Sequence, residues 1–344
     1  MIRFESDYLE GAHPAILKAL TDTNAEQTPG YSEDHYCEEA RALIREQIGM
    51  PEAAVHFLVG GTQANRTVIA ALLRAHQGVV AAETGHIACH ETGAIENSGH
   101  KVLTLPPVNS KITGAQVEAL CSAHYADHAF EHTVQPGMVY ISNPTELGTV
   151  YTAAELTALH EVCQRYSMPL FVDGARLSCA LECAECDYDL AGLARMCDVF
   201  YIGGTKLGLL FGEAVVFTVP ALAKDFRYFI KQNGGMFAKG RLLGVQFLTL
   251  LSDGLYREIG RHEVELAMKL KRGLIGKGYR FLIDSPTNQQ FPILPNSVAK
   301  ALEGRFSSSF QQYVGEDECC VRFCTSWATT EADVDALLDA IPAK

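Results

Sequence analysis

From about residue 36 onward, the chain alternates between segments with apolar residues at helical spacing and short continuous apolar runs. Apolar residues at helical spacing predict helices over 37–48 and 153–166, and another helix that begins at Thr62. Short apolar runs between the helices predict strands over 55–59, 78–82, 101–105, 138–142, 169–173 and 198–202. This alternation is typical of an α/β fold, in which a mostly parallel sheet carries helices on both faces.

The alternation of predicted strands and helices ends after Gly212. A strand predicted over 215–219 is followed by two long helical patterns, over 236–251 and 256–277. The remainder of the chain predicts strands over 279–283, 289–294 and 321–325 and a terminal helix from Glu331. We therefore expect a large α/β domain, a helical connector and a small C-terminal α+β domain.

Composition narrows the class of ligand. The 344 residues are 48% apolar, so the chain can bury a large core, and their formal net charge is -13. Nucleic acid and anionic membranes need clustered Lys and Arg, whereas the basic residues here are scattered. We expect a small soluble substrate, with no nucleic-acid or membrane partner.

The cysteines indicate a reducing compartment. There are eleven of them, an odd number without framework spacing, and the N-terminus has no apolar signal segment. We therefore expect a cytoplasmic protein. Cys183 and Cys186 form a C-x-x-C pair without a second pair at zinc spacing, and His86 and His90 have no third ligand at a known spacing. The sequence predicts no metal site.

Chemistry is expected where predicted strands end, because ligands of open parallel sheets bind at the carboxyl ends of the strands. Gly60, Gly61 and Thr62 follow the first predicted strand of the sheet and open a helix. The glycines let the backbone approach a ligand closely, and the free N–H groups of a helix N-terminus bind phosphate. The same sequence is also typical of an ordinary turn.

A carboxylate and a guanidinium follow another strand. Asp173 ends the apolar segment 169–173, and Arg176 comes three residues later. The two side chains could simply pair with each other, because a buried carboxylate needs a compensating cation. The alternative is that Asp173 faces a protonated pyridinium ring while Arg176 grips a substrate carboxylate.

A lysine follows the next strand. Lys206 comes after Gly203, Gly204 and Thr205 at the predicted rim of the sheet. Lysine forms Schiff bases with aldehydes, although most lysines are simply exposed. A phosphate cradle, an aspartate and a lysine in this order, each after a strand, favour one shared cofactor site.

These motifs resemble the fold type I pyridoxal-phosphate (PLP) enzymes, and among them the low-specificity L-threonine aldolase and β-eliminating lyase family. The elements that match are Gly61-Thr62-Gln63-Ala64-Asn65, His86, Asp173-Gly174-Ala175-Arg176-Leu177 and Lys206-Leu207-Gly208. The resemblance implies a large domain over 1–255 with a mostly parallel seven-stranded sheet. It also implies a small α+β domain over 256–344, and an N-terminal segment, 1–30, that contributes to the active site.

The resemblance also implies roles for single residues. Gly61 and Thr62 would bind the phosphate of PLP, Asp173 the ring nitrogen, and Lys206, next to Thr205, would form the Schiff base. His86 would stack on the ring. Arg176, which lies beside the cofactor, would bind the substrate carboxylate together with Arg322 and Ser6. Tyr31 would reach the active site from a neighbouring subunit of a homodimer or homotetramer.

The implied reaction is PLP-dependent cleavage of the Cα–Cβ bond of a β-hydroxy-α-amino acid, of the L-threonine or L-allo-threonine type, to glycine and an aldehyde. His86, or a water that it orients, is the candidate base, and ring stacking without proton transfer is the alternative. The same scaffold could also support β-elimination or transamination, and a non-catalytic PLP-fold binding protein is a further alternative.

The chain departs from the family at more than one element, most clearly at the end of the predicted strand over 138–142. Typical aldolases have Glu-Asn-Thr-His there, with the His near the substrate hydroxyl, whereas this chain has Ser142-Asn143-Pro144-Thr145-Glu146. Phe237 and Ala238 also stand where an Arg-Gln pair is usual. These changes leave the expected cofactor unaffected and bear on the identity of the substrate.

Overall fold

The structure is a computed structural model that describes residues 1–344. Its strands are β1 (Ile2–Arg3), β2 (Ala54–Leu58), β3 (Gln77–Ala82), β4 (Val102–Leu105), β5 (Gln135–Ser142), β6 (Leu170–Asp173), β7 (Val199–Gly203), β8 (Glu213–Phe217), β9 (Gln289–Gln290), β10 (Ile293–Pro295), β11 (Phe306–Ser307), β12 (Ser309–Tyr313) and β13 (Glu318–Cys324). Its helices are α1 (Pro14–Asp22), α2 (His35–Ile48), α3 (Gly61–Leu72), α4 (His86–Cys89), α5 (Ala94–Asn97), α6 (Gly114–Ala126), α7 (Ala153–Arg165), α8 (Leu177–Leu181), α9 (Leu190–Arg195), α10 (Phe226–Gln232), α11 (Arg241–Leu251), α12 (Leu255–Gly276), α13 (Asn296–Leu302) and α14 (Glu331–Ala340).

Seven strands form the main sheet, in the order β2-β8-β7-β6-β5-β3-β4. Only β8 runs antiparallel to its neighbours, and the short connection from β7 to β8 permits this reversal without a crossover helix. All residues of β6, β7 and β8 are buried, as expected of strands covered on both faces. The predicted mostly parallel, seven-stranded sheet is confirmed.

Helices cover the two faces of this sheet. Successive residues of β3 belong to different apolar clusters: Val80 packs with residues of α2, α7 and α11, and Val79 with residues of α3 and α10. Local sequence fixes where several helices begin. In front of α7, for example, the Thr152 hydroxyl accepts from the Glu155 backbone N–H, and the Glu155 carboxylate accepts from the Thr152 N–H.

The C-terminal region forms a second, smaller core. Strands β10, β13 and β12 make an antiparallel sheet, β9 pairs with the end of β13, and α14 packs on α12. The N-terminus joins this region, because Ile2 pairs with Phe306 in parallel register and Phe4 is buried in the C-terminal apolar cluster. The predicted division between residues 255 and 256 stays a prediction.

Three predicted elements differ from the structure. The strand over 289–294 is interrupted at Phe291 and Pro292, which separate β9 from β10. The strand over 279–283 is reduced to one bridge between Phe281 and Pro292, because Tyr279 packs into the C-terminal core instead of extending a sheet. The helix predicted from 236 begins only at Arg241, after a turn in which the Ala238 carbonyl accepts from the Tyr31 N–H. No helix combines the length and the apolar character that a membrane span requires.

The turn after β6 requires a residue without a side chain. A Cβ on Gly174 would lie 1.9 Å from the Tyr201 carbonyl oxygen, a backbone atom of the neighbouring strand β7. We expect G174A to lower the free energy of unfolding by about 1–3 kcal/mol or more through overpacking, measured by urea denaturation. The matched control is G276A at the end of α12, where no atom lies within 4 Å of the new Cβ. An equal effect of the two substitutions would contradict this packing argument.

Candidate active site

Three strand ends meet at one cavity of about 330 Å³, called the inner cavity below. The residues after β2, at the end of β6 and after β7 all contribute to its wall. Seven predicted cofactor residues line it together: Gly61, Thr62, His86, Asp173, Arg176, Thr205 and Lys206. An outer cavity of about 640 Å³ adjoins it and shares Tyr8, His86, Glu146, Arg176 and Lys206 with it.

The N-terminus of α3 forms one wall of the inner cavity. Gly60 precedes the helix in an extended conformation and provides no side-chain cap, so the first N–H groups of α3 have no partner in the helix. A Cβ on Gly61 would lie 3.1 Å from the Tyr201 hydroxyl oxygen, so a larger residue would crowd this wall. The arrangement suits an anion such as a phosphate group.

Asp173 lies at the floor of the inner cavity and is 4% exposed. Its Oδ2 accepts from the Tyr140 hydroxyl at 2.6 Å and from Asn65 Nδ2 at 3.0 Å. Its Oδ1 accepts from the Tyr201 hydroxyl and from the Ala175 N–H at 3.0 Å. Burial alone would raise the pKa of Asp173, but the charge on His86 and these hydroxyl and amide donors lower it below its usual value. The carboxylate is therefore ionised.

A short chain of hydrogen bonds connects this floor to His86. The buried Glu91 carboxylate accepts from Asn65 Nδ2 and bonds to His86 Nδ1, both at 2.7 Å. Burial opposes a charge on the imidazole, but the bond to Glu91 and the nearby charge of Asp173 raise the pKa of His86. His86 is thus held in one orientation by Glu91.

Lys206 lies at the junction of the two cavities. Its Nζ makes no hydrogen bond or ion pair with the protein, and the ring of Tyr8 lies 6.0 Å away. Burial and the positive charge of Arg176 lower the pKa of Lys206, although the charges of Asp7, Asp173 and Glu213 act in the opposite direction. A partly buried amine with a lowered pKa is a better nucleophile than an exposed lysine.

Glu213 holds the loop that carries this lysine. It is the first residue of β8, and its carboxylate accepts from the Thr205 hydroxyl at 2.9 Å and the Gly204 N–H at 3.2 Å. The Thr205 hydroxyl in turn accepts from the Gly212 N–H at 3.0 Å. The predicted cofactor residue Thr205 therefore lines the cavity while its hydroxyl braces the loop.

Arg176 pairs with a residue that sequence reasoning missed. Its Nε and Nη2 donate to the two carboxylate oxygens of Asp7, at 2.5 and 3.0 Å, and Asn288 Nδ2 donates to Asp7 at 2.9 Å. Arg176 therefore does not pair with Asp173. Two of its nitrogens are also engaged by Asp7, so the predicted grip on a substrate carboxylate would have to use Nη1, for which the structure records no hydrogen bond.

Arg322 and Gln289 lie in the wall of the outer cavity, and Ser6 follows the residue whose carbonyl Arg322 binds. Arg322 donates through Nη2 to the Glu5 carbonyl at 2.7 Å and through Nη1 to Gln289 Oε1 at 3.2 Å. Its Nε, Gln289 Nε2 and Ser6 Oγ are buried without a partner. Unpaired buried donors are costly, so this group suits a ligand with acceptor atoms, such as a carboxylate.

Tyr31 does not line either cavity of its own chain. It lies on the surface, 45% exposed, with Lys231 Nζ 5.2 Å from its ring centroid. The structure therefore does not bring Tyr31 to the other predicted site residues, and its predicted action on a neighbouring subunit stays a prediction.

Several site residues were not predicted from the sequence. They are Asp7, Asn65, Glu91, Tyr140, Tyr201, Glu213, Asn288 and Gln289, each described above by its contacts. Asn65 lay within the matched Gly61–Asn65 element without an assigned role, and Tyr201 is one of the apolar positions of β7. The sequence signal of Tyr140 and Tyr201 is a hydroxyl group on an otherwise apolar strand position, and its role becomes interpretable only once the neighbouring strands are known.

The residues of the inner cavity fit PLP. A phosphate requires free N–H groups, a protonated ring nitrogen requires an ionised acceptor, and an aldehyde requires an amine. The N-terminus of α3, Asp173 and Lys206 provide these three groups at one cavity. Together with the seven-stranded sheet, this site defines an enzyme of the fold type I PLP-dependent class.

Comparison with known proteins places the chain in one family of that class. The model of the beta-eliminating lyase family matches residues 4–289. A low specificity L-threonine aldolase of Pseudomonas sp. (strain NCIMB 10558) is 30% identical over 343 residues, covering 97% of this chain and 95% of the relative. A second one, from Pseudomonas aeruginosa, is 30% identical and covers 95% of this chain and 93% of its own length.

Solved structures agree with this placement. The threonine aldolase of Leishmania major is 42% identical, with a TM-score of 0.96 over 99% of this chain and 98% of that one. An aspartate aminotransferase of Thermus thermophilus is 14% identical, with a TM-score of 0.70 over 99% of this chain and 90% of that one, which shows the shared fold alone. The chain belongs to the beta-eliminating lyase family, and its cofactor is PLP.

The Asp7–Arg176 pair yields a stability test. Asp7→Asn keeps the shape of the side chain but leaves Arg176, whose side chain is only 12% exposed, without its counter-charge. We expect a loss of about 3–5 kcal/mol in the free energy of unfolding, measured by urea denaturation. Glu118→Gln is the control, because it removes the partner of Arg165 from an exposed pair and should change stability little. A similar small effect of both substitutions would show that the Asp7–Arg176 pair is not a structural requirement.

Proposed function

We propose that this protein cleaves the Cα–Cβ bond of a β-hydroxy-α-amino acid, of the L-threonine or L-allo-threonine type, to glycine and an aldehyde. The observation that carries the proposal is the meeting of Lys206, Asp173 and the N-terminus of α3 at one cavity. That arrangement lies in a chain 42% identical to the Leishmania major threonine aldolase. When bound, PLP would withdraw electrons from the substrate Cα.

The inner cavity would hold PLP through four contacts. The N–H groups at Gly61 and Thr62 would bind the phosphate, and the Lys206 amine would bind the aldehyde carbon. The ionised carboxylate of Asp173, which lines the cavity, would accept from the ring N–H. His86, which lines the cavity and is oriented by its bond to Glu91, would pack on the ring.

The outer cavity would bind the substrate carboxylate. Arg322 and Gln289 line this cavity, and Arg322 Nε and Gln289 Nε2 are donors without protein partners, as is Ser6 Oγ behind the lining. These atoms have almost no exposed surface, so the side chains would turn toward the bound carboxylate. Arg176 would contribute its positive charge and its Nη1 atom, while its bonds to Asp7 hold the guanidinium in place. A carboxylate held there would place the substrate amino group toward Lys206, which lines both cavities. This role of Arg176 is narrower than the two-nitrogen grip expected from the sequence.

We also propose a homodimer or homotetramer with active sites at the dimer interface, working in the cytoplasm. Tyr31 supports the interface, because it is exposed and outside its own cavities, next to the charge of Lys231. The eleven cysteines, all free and mostly buried, support a reducing compartment.

Product analysis tests the reaction. We expect PLP-loaded protein to release glycine from L-threonine, L-allo-threonine or phenylserine, measured by amino-acid chromatography. K206A should release none, because it lacks the amine that binds the cofactor. Release of ammonia and a 2-keto acid in place of glycine would favour β-elimination and contradict the proposal.

Mixed oligomers test the role of Tyr31. We expect Y31A and K206A to lose most activity separately, and to regain part of it when the two variants are coexpressed as one oligomer. A mixed dimer would then contain one site with Lys206 from one chain and Tyr31 from the other. If Tyr31 acts on its own chain, or not at all, the mixture will show no gain over the separate variants.

A further inference from the structure

Glu146 is the one acidic side chain at the junction of the two cavities that has a free carboxylate oxygen. It lines the inner cavity with Lys206 and Asp173, and the outer cavity with Arg322. Its Oε1 accepts from the His86 N–H at 2.7 Å and from the Ser142 hydroxyl at 2.6 Å. Its Oε2 has no protein partner and is not among the buried unpartnered atoms, so it is accessible from the cavities.

The other acidic groups around the inner cavity are already engaged. Asp173 accepts four hydrogen bonds, and Glu213 accepts from Thr205 and Gly204. Asp7 is bonded to Arg176 and Asn288. None of these carboxylates has an oxygen available for a substrate hydroxyl at the junction.

We propose that Glu146 is the catalytic base that takes the proton from the β-hydroxyl group of the substrate. This proposal rests on the proposed cleavage reaction and adds to it the residue that starts bond breaking. As the O–H proton moves to Glu146 Oε2, the oxygen forms a double bond to Cβ and the Cα–Cβ bond breaks. The electron pair stays with Cα, which then takes up a proton from water, and Glu146 releases its proton to water.

The surroundings of Glu146 suit this task. Burial raises its pKa, and the charge of Asp173 raises it further, while the Ser142 hydroxyl and the backbone N–H groups of Glu146 and His86 lower it. Tyr140, Tyr151 and Cys89 also face it, and the cationic Lys206, Arg176 and Arg322 line the same cavities. A carboxylate whose pKa is raised toward neutrality accepts and returns protons more readily than an ordinary one. His86 is less suited, because its own raised pKa favours the ring that already carries both protons.

The central test is E146Q, which keeps the shape and the hydrogen bond to the His86 N–H but removes the base. We expect kcat for cleavage of L-threonine to fall by about 10²–10⁴-fold, the range for loss of a general base. Exchange of the α-hydrogen of glycine with D₂O, followed by NMR, should continue in E146Q, because glycine has no hydroxyl group. Retained PLP absorbance would show that the cofactor site is intact. E146D should recover part of the lost activity.

The matched control is E96Q. Glu96 lies on α5, is exposed, lines neither cavity and makes no hydrogen bond through its side chain, so E96Q should cleave L-threonine like the wild type. If E146Q cleaves L-threonine as fast as E96Q, the inference is wrong while the proposed function stands. If glycine exchange falls in E146Q as much as cleavage does, Glu146 is a structural residue and the inference is equally wrong.

The pH profile provides a second, independent readout. Glu146 must be ionised to accept a proton, so wild-type activity should be lost as the pH falls through its raised pKa. S142A removes a hydrogen bond that stabilises the carboxylate, so the acidic limb should move to higher pH. The assignment of Glu146 as the base is wrong if the acidic limb of the pH–activity profile does not move in S142A and is still present in E146Q. If the wild type yields no glycine from any substrate, the proposed function itself fails, and the role of Glu146 with it.

Discussion

The buried carboxylate of Asp173 is the constraint on which the rest of the site depends. A charge at the floor of a cavity is unstable unless donors and a counter-charge compensate it. The donors come from four places, Asn65 on α3, Tyr140 on β5, Tyr201 on β7 and the backbone of Ala175, and they converge only because β5, β6 and β7 are neighbours. The order of the strands therefore fixes the ionised acceptor that a protonated ring nitrogen requires.

The same principle organises the rest of the cavity wall. Glu91 bonds to both Asn65 and His86, so the imidazole is oriented by the network that supports Asp173. Arg176 is balanced by Asp7, which leaves Lys206 as the cationic group in the cavity wall without a partner of its own. An amine in that position is free to react, while the charges around it are held in place. Reactivity at Lys206 thus follows from the pairing of its neighbours.

The sequence predicted the central sheet and the three strand ends that carry chemistry, because both depend on local patterns. The apolar run of β6 ends at Asp173, and that of β7 ends shortly before Lys206. Each of these patterns can be recognised without knowing which distant segment the strand pairs with. Pairings between distant segments could not be predicted in this way. Asp7 and Arg176 are 169 positions apart, and the N-terminal strand β1 pairs with β11 beyond residue 300. Gln289 and Glu213 acquire their roles only through the fold, from the strands beside them.

The account rests on one covalent link, between Lys206 and the aldehyde of PLP, and the most direct measurement detects that link. Borohydride reduction of the PLP-loaded protein turns a Schiff base into a stable amine, which peptide mass spectrometry can then locate. The account predicts a single modified peptide that contains Thr205-Lys206-Leu207, with the added mass on Lys206. Modification of other lysines in preference to Lys206, or no modification in protein that retains PLP, would contradict it.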